Sequence, residues 1–494
     1  MAITYLLVFC LAATACSCQE NKFPPWFLFG AASASYQIEG GWNAHDKGES
    51  TWDRLVHTNP AAIEDGSNGD VACDSYHLWM RDIEMAEELG LTLYRFSISW
   101  PRLLPTGYPN IISEDGKNYY NNLIDGLLEK GIEPLVTMYH FDLPQSLQDL
   151  GGWANPLIID WYVDYARVVF SLYADRVKLW LTLNEPFGIC DAGYNLQHAP
   201  YLNNTDFGRF MCNKNVMLAH AKTWRVYDEE YKPLYHGKVS LSTLFIWYEP
   251  ATPEDQELTD LVIEHWEGRY VHPIFSKEGG WPPAIEKFLL EDGKKKGYPN
   301  PLLPPFTDEE KELVRGTYDF YGLNHYSSRL VRKAKPGEVF SWPYYGSPEL
   351  GVVFENHPDW KQAALNWFAL YPEGLLHQLR WLKKTYGVEE ILITENGYMD
   401  SYKGTDDWER LGYIRDNLEQ VQLALQEGIN VTGYTHWTLM DNFEWTSGYT
   451  VNFGLYAVDF SDPNRTRTPR ESAKYYSQVT RAHALLPLPP RDEA

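Results

Sequence analysis

The chain has 494 residues, 44% of them hydrophobic and 22% charged, a balance that permits a large buried core and does not indicate wholesale disorder. This length allows two or three average domains, or one α/β barrel enlarged by insertions. The formal net charge of −25 disfavours nucleic acids and anionic membranes as partners, because their phosphates would be repelled. Aromatic residues make up 15% of the chain, which fits either stacking on sugar rings or a large aromatic core.

Residues 1–18 carry no charged side chain and contain an apolar run at 6–13, followed by small residues. This pattern predicts a signal peptide over residues 1–18, with cleavage somewhere between Ala15 and Glu20. Residues 19–494 would then form the mature domain. A membrane anchor is disfavoured, because the run is too short to span a bilayer. We therefore expect secretion to an extracellular, digestive or lysosome-like compartment.

Three cysteines follow this segment, namely Cys73, Cys190 and Cys212. In an oxidising compartment Cys190 and Cys212 could close a loop disulfide and leave Cys73 as a buried thiol. Their spacing does not indicate a zinc site, and we expect neither a metal nor a cofactor. Three sequons provide candidate glycosylation points at Asn203, Asn430 and Asn464.

Short β-branched or aromatic runs alternate with longer amphipathic stretches along the chain, without repeats or linkers. The predicted strands are residues 27–33, 93–99, 134–139, 179–183, 239–245, 320–323, 391–394 and 431–437. Predicted helices between them include residues 80–89, 118–129, 161–173, 216–231 and 411–427.

Eight successive strand–helix units indicate a parallel sheet, and eight parallel strands are the number that closes a barrel. A doubly wound open sheet is the competing fold. Against it, no glycine-rich phosphate turn follows the first strand. We predict one α/β domain, a (β/α)8 TIM barrel with long loop insertions at residues 250–317 and 333–366.

Polar and aromatic side chains follow most of the predicted strands, at the end of the barrel where active sites lie. Two carboxylates directly end strands, Glu185 after the fourth strand and Glu395 after the seventh. The others can bind hydroxyl groups or stack on a sugar ring: Gln37, His140, Asn184, Asn324, Tyr326, Trp437, Glu444 and Trp445. Sugar hydrolysis needs this combination of groups.

Each part of this pattern has a simpler explanation. The segment 184–186 could be a helix start, where the helix dipole favours Glu185. The segment 394–397 could be a turn built on Asn-Gly, and a lone His140 is more often a satisfied core histidine. The catalytic interpretation is favoured because both carboxylates end barrel strands while polar groups end most of the other strands.

Five blocks resemble glycoside hydrolase family 1 in the same order, at residues 29–40, 94–100, 182–186, 393–397 and 441–445. They span residues 23 to about 483. The segment 324–327 and the pair Cys190 and Cys212 are similar to secreted animal members, particularly those of insects. The resemblance implies a retaining β-glycosidase with a TIM barrel.

The resemblance also implies a role for each matching residue. Glu185 would be the acid/base and Glu395 the nucleophile, which Arg95 and Tyr326 would keep ionised. Trp437 would be the stacking platform of the sugar, and Trp367 would pack on the leaving group. The implied ligands of the terminal sugar are Gln37, His140, Asn184, Glu444 and Trp445.

The expected substrates are oligosaccharides or small molecules with a terminal β-glucosyl residue, with β-galactosyl and β-fucosyl residues as further candidates. One alternative is a thioglucosidase that acts on glucosinolates, since keeping Glu185 does not exclude thioglucosides. A second is a catalytically silent sugar-binding protein on the same fold. The sequence is compatible with an oligomer and names no aglycone.

Overall fold

The structure is a computed structural model that describes residues 21–491. Eight parallel strands form a closed barrel: β1 (Leu28–Ala32), β2 (Leu93–Ser97), β3 (Glu133–Tyr139), β4 (Leu179–Asn184), β5 (Lys238–Leu244), β6 (Tyr321–His325), β7 (Ile391–Asn396) and β8 (Val431–Trp437). Neighbours in the barrel follow chain order, and β8 closes the barrel on β1 with Leu28 beside Gly433. The predicted TIM barrel is confirmed, and every predicted strand boundary lies within two residues of the observed one.

The barrel strands are buried on both faces, so their sequences are nearly continuous apolar runs. Every residue of β2 and of β7 is buried, including the polar ones. Near the amino-terminal ends of the strands the interior is filled by Leu93, Leu135, Leu181, Phe320 and Leu392. Polar side chains replace these apolar residues towards the carboxyl ends.

Helices cover the outside of the barrel. In chain order the larger ones are Ser75–Glu88, Glu114–Glu129, Ile158–Tyr173, Gly208–Val226, Gln256–Ile263, Arg269–Phe275, Pro283–Lys295, Asp308–Val314, Glu373–Tyr386, Trp408–Gln426 and Glu471–Ala482. An eight-residue helix, Thr51–Thr58, and four-residue helices at Ser35–Ile38, Trp100–Leu103, Gln145–Gln148 and Lys232–Tyr235 lie in the loops.

The predicted helices are present but begin three to eight residues earlier than predicted. The prediction followed apolar periodicity, whereas the first turn of a helix is decided by capping and local packing. Ser113, for example, caps the helix Glu114–Glu129 by accepting a hydrogen bond of 3.0 Å from the backbone N–H of Gly116. The prediction for 216–231 spans the end of one α-helix and a π-helical turn at Tyr227–Tyr231.

Insertions at the carboxyl ends of the strands surround the barrel mouth. Four short strands form a separate sheet, in the order Trp247–Pro250, Ser328–Lys333, Val352–Glu355 and Gly346–Ser347. Two-stranded sheets pair Lys361–Gln362 with Ala369–Leu370 and Tyr456–Val458 with Arg467–Pro469. The insertion predicted at 333–366 is therefore partly folded into a sheet that also includes the segment after β5.

Cys190 and Cys212 form a disulfide with their Cα atoms 5.4 Å apart, as expected, and Cys73 is a buried free thiol. The bridge ties the loop after β4 to the helix Gly208–Val226. The predicted signal peptide at 1–18 lies outside the described residues. Within residues 21–491 no helix has the length and apolar character needed to cross a membrane.

Candidate active site

A cavity with an empty volume of about 670 Å³ opens at the carboxyl ends of the barrel strands. Nine of the twelve predicted catalytic and binding residues line it: His140, Asn184, Glu185, Tyr326, Trp367, Glu395, Trp437, Glu444 and Trp445. The other three, Gln37, Arg95 and Asn324, are hydrogen-bonded to lining residues.

Glu395 is held from two sides near the end of β7. The guanidinium of Arg95 donates to its Oε1, and the hydroxyl of Tyr326 donates to its Oε2 at 2.5 Å. Arg95 is fully buried, and its remaining donors are fixed by Thr137 Oγ1 at 3.0 Å and Asn184 Oδ1 at 2.6 Å. Burial raises the pKa of Glu395, and the charge of Arg95 and the hydroxyl of Tyr326 oppose that rise.

Glu185 stands directly after β4 in a left-handed backbone conformation, with φ of 43°. Its backbone N–H donates to the carbonyl of Ser242 on β5 at 2.8 Å, which holds this turn in place. Left-handed backbone at a residue other than glycine costs conformational energy and is often found at functional sites. The only side chain of the described residues that donates to its carboxylate is Asn324, at 2.7 Å.

The two carboxyls therefore differ in their electrostatic surroundings. Burial, followed by the negative charge of Glu395, raises the pKa of Glu185 to about 8. Glu395 has a guanidinium and a phenol to stabilise its anion, whereas Glu185 has a neutral amide. Two carboxyls whose surroundings push their pKa values apart can act as an acid and an anion at the same pH.

A third carboxylate, Glu444, follows β8 on the loop at the barrel mouth. Gln37 Nε2 donates to Glu444 Oε2 at 3.2 Å and to the carbonyl of Phe443 at 2.9 Å. Burial, followed by the charge of Glu395, raises the pKa of Glu444 to about 8. Gln37 Oε1 is buried and has no partner among the described residues, so it is free to accept a hydrogen bond from a ligand.

His140 lies among indole rings at the end of β3. Its ring centroid is 5.8 Å from those of Trp437 and of Trp445, and both indole planes are inclined to it by 21°. The Oδ1 of Asn184 accepts from Arg95, so its Nδ2 is the atom that donates to His140 Nε2, at 3.0 Å. Burial and the charge of Arg95 hold the pKa of His140 well below its usual range. The neutral ring thus carries its proton on Nδ1, which can donate to a ligand.

The outer part of the cavity is apolar. Trp367 stacks on Tyr344, with ring centroids 4.0 Å apart and planes inclined by 12°. The remaining cavity-lining residues are Phe141 and His198, which pack against Trp445, and Leu244, Ile246, Phe368, Met399 and Phe453. No lysine or arginine is among the cavity-lining residues in the described part of the chain.

Several residues of this site were not predicted from the sequence. His198 and Tyr344 belong to loops, where hydrophobic periodicity gives no signal. Thr137 and Ser242 accept hydrogen bonds from Arg95. Thr137 was detectable in principle as a hydroxyl residue in the largely apolar strand β3, whereas Ser242 lies in β5 beside Ser240 and Thr243 and does not stand out. Within residues 21–491 no cluster of three or more His, Cys, Asp or Glu is arranged to hold a metal ion.

Comparisons with known proteins agree with this geometry. Myrosinase 1 of Brevicoryne brassicae is 46% identical over 93% of this chain and 98% of its own length. Human cytosolic beta-glucosidase is 40% identical over 94% of this chain and 99% of its own.

Two solved structures are also similar. The structure of an aphid myrosinase has a TM-score of 0.88 at 44% identity and covers 94% of this chain and 100% of that one. A family 1 β-glucosidase from Thermotoga maritima has a TM-score of 0.85 at 36% identity, with the same coverage of 94% and 100%. Residues 19–485 match the model of glycosyl hydrolase family 1, and the chain is a member of that family.

Proposed function

We propose that this glycoside hydrolase removes terminal β-glucosyl residues from uncharged O-glycosides by double displacement, with retention of configuration. The observation that carries the mechanism is the contrast between the two carboxyls in one cavity. Glu395 is bonded to a guanidinium and a phenol, and Glu185 to a neutral amide alone. Retaining enzymes of this kind hold their two carboxyls about 5–5.5 Å apart, which leaves no room for a water between them.

In the first step Glu395 is the nucleophile and Glu185 the acid. A carboxylate oxygen of Glu395 attacks the anomeric carbon, while Glu185 gives its proton to the departing glycosidic oxygen. Arg95 and Tyr326 keep Glu395 ionised before the attack. The products are a glycosyl ester on Glu395 and a free aglycone alcohol, and Glu185 is left as a carboxylate.

In the second step Glu185 acts as a base. The ester on Glu395 carries no negative charge, so the repulsion that helped to raise the pKa of Glu185 is gone. Glu185 can then stay ionised, take a proton from water and direct the oxygen to the anomeric carbon. The ester bond breaks, Glu395 recovers its charge, and β-glucose leaves.

The inner end of the cavity would recognise the sugar. Glu444 can accept hydrogen bonds from two hydroxyl groups, which would lower its pKa again, and it would repel a phosphorylated sugar. Gln37 Oε1 and the Nδ1–H of His140 offer an acceptor and a donor to further hydroxyls. Asn184 and Trp445 complete the ligand set, with Trp437 as the stacking surface. β-Galactosides and β-fucosides remain substrate candidates.

A thioglucosidase is the second candidate, supported by the 46% identity to Myrosinase 1. Glucosinolates carry a sulfate, however, and no lysine or arginine lines this cavity in the described residues. Three glutamates do line it, and an anionic aglycone would be repelled by whichever of them are ionised. A silent sugar-binding protein is disfavoured because both carboxyls and their partners are in place.

A substrate panel tests this proposal. We expect kcat/KM for 4-nitrophenyl β-glucoside to exceed that for allyl glucosinolate by at least about tenfold, the effect of about 1.4 kcal/mol. The desulfated glucosinolate should be the better thioglucoside, because the repelled charge is gone. Faster turnover of the intact glucosinolate than of any O-glucoside would establish a thioglucosidase. No turnover of glucosides, galactosides, fucosides or cellobiose would indicate a silent protein.

Replacing Glu185 with Gln tests its role as acid/base. Poor leaving groups need a proton, so Glu185→Gln should slow hydrolysis of alkyl glucosides and cellobiose by about 10²–10⁴-fold. Nitrophenyl glucosides should still give a fast burst followed by slow turnover, and azide should speed that turnover and yield β-glucosyl azide. Rapid-quench kinetics with product NMR measures both.

Glu267 provides a matched control for this experiment. It is another buried glutamate whose pKa burial raises to about 8, but it contacts Thr243 and Tyr321 and does not line the cavity. Glu267→Gln should not discriminate between good and poor leaving groups. If Glu185→Gln behaved in the same way and azide rescued nothing, Glu185 would not be the acid/base.

The pH profile tests the partners of Glu395. Activity requires an ionised Glu395, so kcat/KM falls as pH drops through its pKa; it requires a protonated Glu185, so it falls again above about pH 8. Tyr326→Phe removes a hydrogen-bond donor to the Glu395 carboxylate. The acidic limb of the kcat/KM profile should therefore move to higher pH by about one pH unit. Tyr413→Phe is the control, since the hydroxyl of Tyr413 donates to the backbone of Tyr326. An unmoved acid limb in Tyr326→Phe would contradict the assignment.

We also propose that the protein is secreted and glycosylated at Asn203, Asn430 and Asn464. The signal-like segment 1–18 and the disulfide support secretion. All three asparagines are exposed, as an attached glycan requires. When the protein is expressed through a secretory pathway, it should reach the medium. Enzymatic release of its N-glycans should convert these asparagines to aspartates, and peptide mass spectrometry detects that change. Unmodified peptides at all three positions would refute the glycosylation proposal.

A further inference from the structure

A second buried cluster of charged side chains lies beside the cavity wall and takes no part in the mechanism. It joins three loops, those that follow β4, β5 and β6. We call it the loop clamp, and its members are Asp191, Arg209, His265, Arg269 and Glu349.

Glu349 is the only member from the long insertion after β6. Its Oε1 lies 3.1 Å from Nη2 of Arg209, and its Oε2 lies 3.1 Å from Nε2 of His265. The side chain is 12% exposed. Burial raises the pKa of Glu349, but Arg209 and His265 outweigh it and hold that pKa well below its usual range. Glu349 therefore stays ionised and bonded to both neighbouring loops.

The rest of the loop clamp is anchored in rigid parts of the fold. Asp191 lies 2.9 Å from Nη2 of Arg269 and accepts a hydrogen bond from Tyr270. It directly follows Cys190, whose disulfide to Cys212 fixes this loop to the helix Gly208–Val226. Arg209 belongs to the same helix. Glu349 thus binds the insertion after β6 to a part of the fold that the disulfide already constrains.

The segment 342–349 is what the loop clamp fastens. At one end Trp342 packs against Phe187 and Trp266, with ring centroids 5.8 and 5.9 Å apart. At the other end Glu349 is bonded to Arg209 and His265. Tyr344 lies between these two attachments and stacks on Trp367 in the cavity wall.

We propose that Glu349 is a positioning residue that sets the size selectivity for the leaving group by holding Tyr344 in the cavity wall. This rests on the proposed function, in which the Trp367 side of the cavity binds the aglycone. Without the Glu349 charge, Arg209 and His265 lose their shared partner. Beyond Tyr344 the segment 342–349 is then held by the backbone pairing of Gly346–Ser347 with Val352–Val353 but no longer by these ion pairs. The wall then offers less ordered contact area to a large aglycone.

The two half-reactions separate this role from a general loss of stability. The leaving group is present in the first step and has gone by the second. A defect confined to the cavity wall at Tyr344 must therefore affect glycosylation of the enzyme by substrates with large aglycones. It must leave hydrolysis of the glycosyl ester unchanged. A merely structural defect would lower both.

Glu349→Gln should lower kcat/KM for hexyl β-glucoside about tenfold, which is the effect of losing about one well-formed contact. It should change kcat/KM for methyl β-glucoside less than about twofold. Both leaving groups are alkyl alcohols of similar basicity, so the ratio of the two values reports contacts and not protonation. For 2,4-dinitrophenyl β-glucoside, whose aglycone departs fast, kcat should stay at the wild-type value. The dinitrophenolate burst counts the folded active sites and normalises all rates.

Glu338→Gln is the matched control. Glu338 lies in the same insertion and pairs with Arg332 at 2.6 Å, but neither residue lines the cavity. This variant should keep the wild-type hexyl-to-methyl ratio. If Glu349→Gln also kept that ratio while hydrolysing dinitrophenyl glucoside normally, the proposal would be overturned.

Tyr344→Ala tests whether Glu349 acts on leaving-group selectivity through Tyr344. This variant stays informative even if Glu349→Gln fails to fold. It should lower the hexyl-to-methyl ratio at least as much as Glu349→Gln, and the double variant should lower it no further. An unchanged ratio in Tyr344→Ala would refute the proposal. A wild-type protein that does not hydrolyse dinitrophenyl glucoside would instead refute the proposed function, so the two failures are distinguishable.

Discussion

The buried ion pair between Arg95 and Glu395 is the interaction on which the rest of the site depends. Its partners come from β2 and β7 and are 300 residues apart in the chain. A buried charge is tolerated only when its partner and hydrogen bonds are in place, and here the remaining guanidinium donors are fixed by Thr137, Asn184 and Ser242. Those residues lie on β3, β4 and β5, so the pair requires several strands of the closed barrel in register.

From this pair follows the asymmetry between the two carboxyls. Burial raises the pKa of both carboxyls, but Arg95 is bonded to Glu395 and not to Glu185, so only at Glu395 does a directly bonded cation oppose that rise. The negative charge of Glu395 contributes to the raised pKa of Glu185. A change in the charge of Glu395, the proposed nucleophile, therefore alters the pKa of Glu185, the proposed acid/base, through the electric field alone and without any movement of the backbone.

The two ends of the cavity are built by different means. Most side chains of the inner end lie on or directly after strand ends, whose positions the barrel fixes, and Gln37, Glu444 and Trp445 join them from the segments after β1 and β8. The outer end consists of loops, held by the disulfide Cys190–Cys212, by aromatic stacking and by the loop clamp. The proposed catalytic groups and the proposed leaving-group contacts thus lie in parts of the chain with different constraints, so the loops can change while the strands keep their chemistry.

The sequence by itself determined the barrel, both carboxyls and most of the inner cavity. Buried parallel strands are continuous apolar runs, and the residue after each run must lie at the barrel mouth, so Glu185 and Glu395 could be placed without coordinates. Only the tertiary structure decided which groups surround each carboxyl, that Gln37 bonds to Glu444, and that Tyr344 and His198 reach the cavity. The physical reason is that these contacts join residues far apart in the chain, through loops whose sequences have no periodicity to record where they fold.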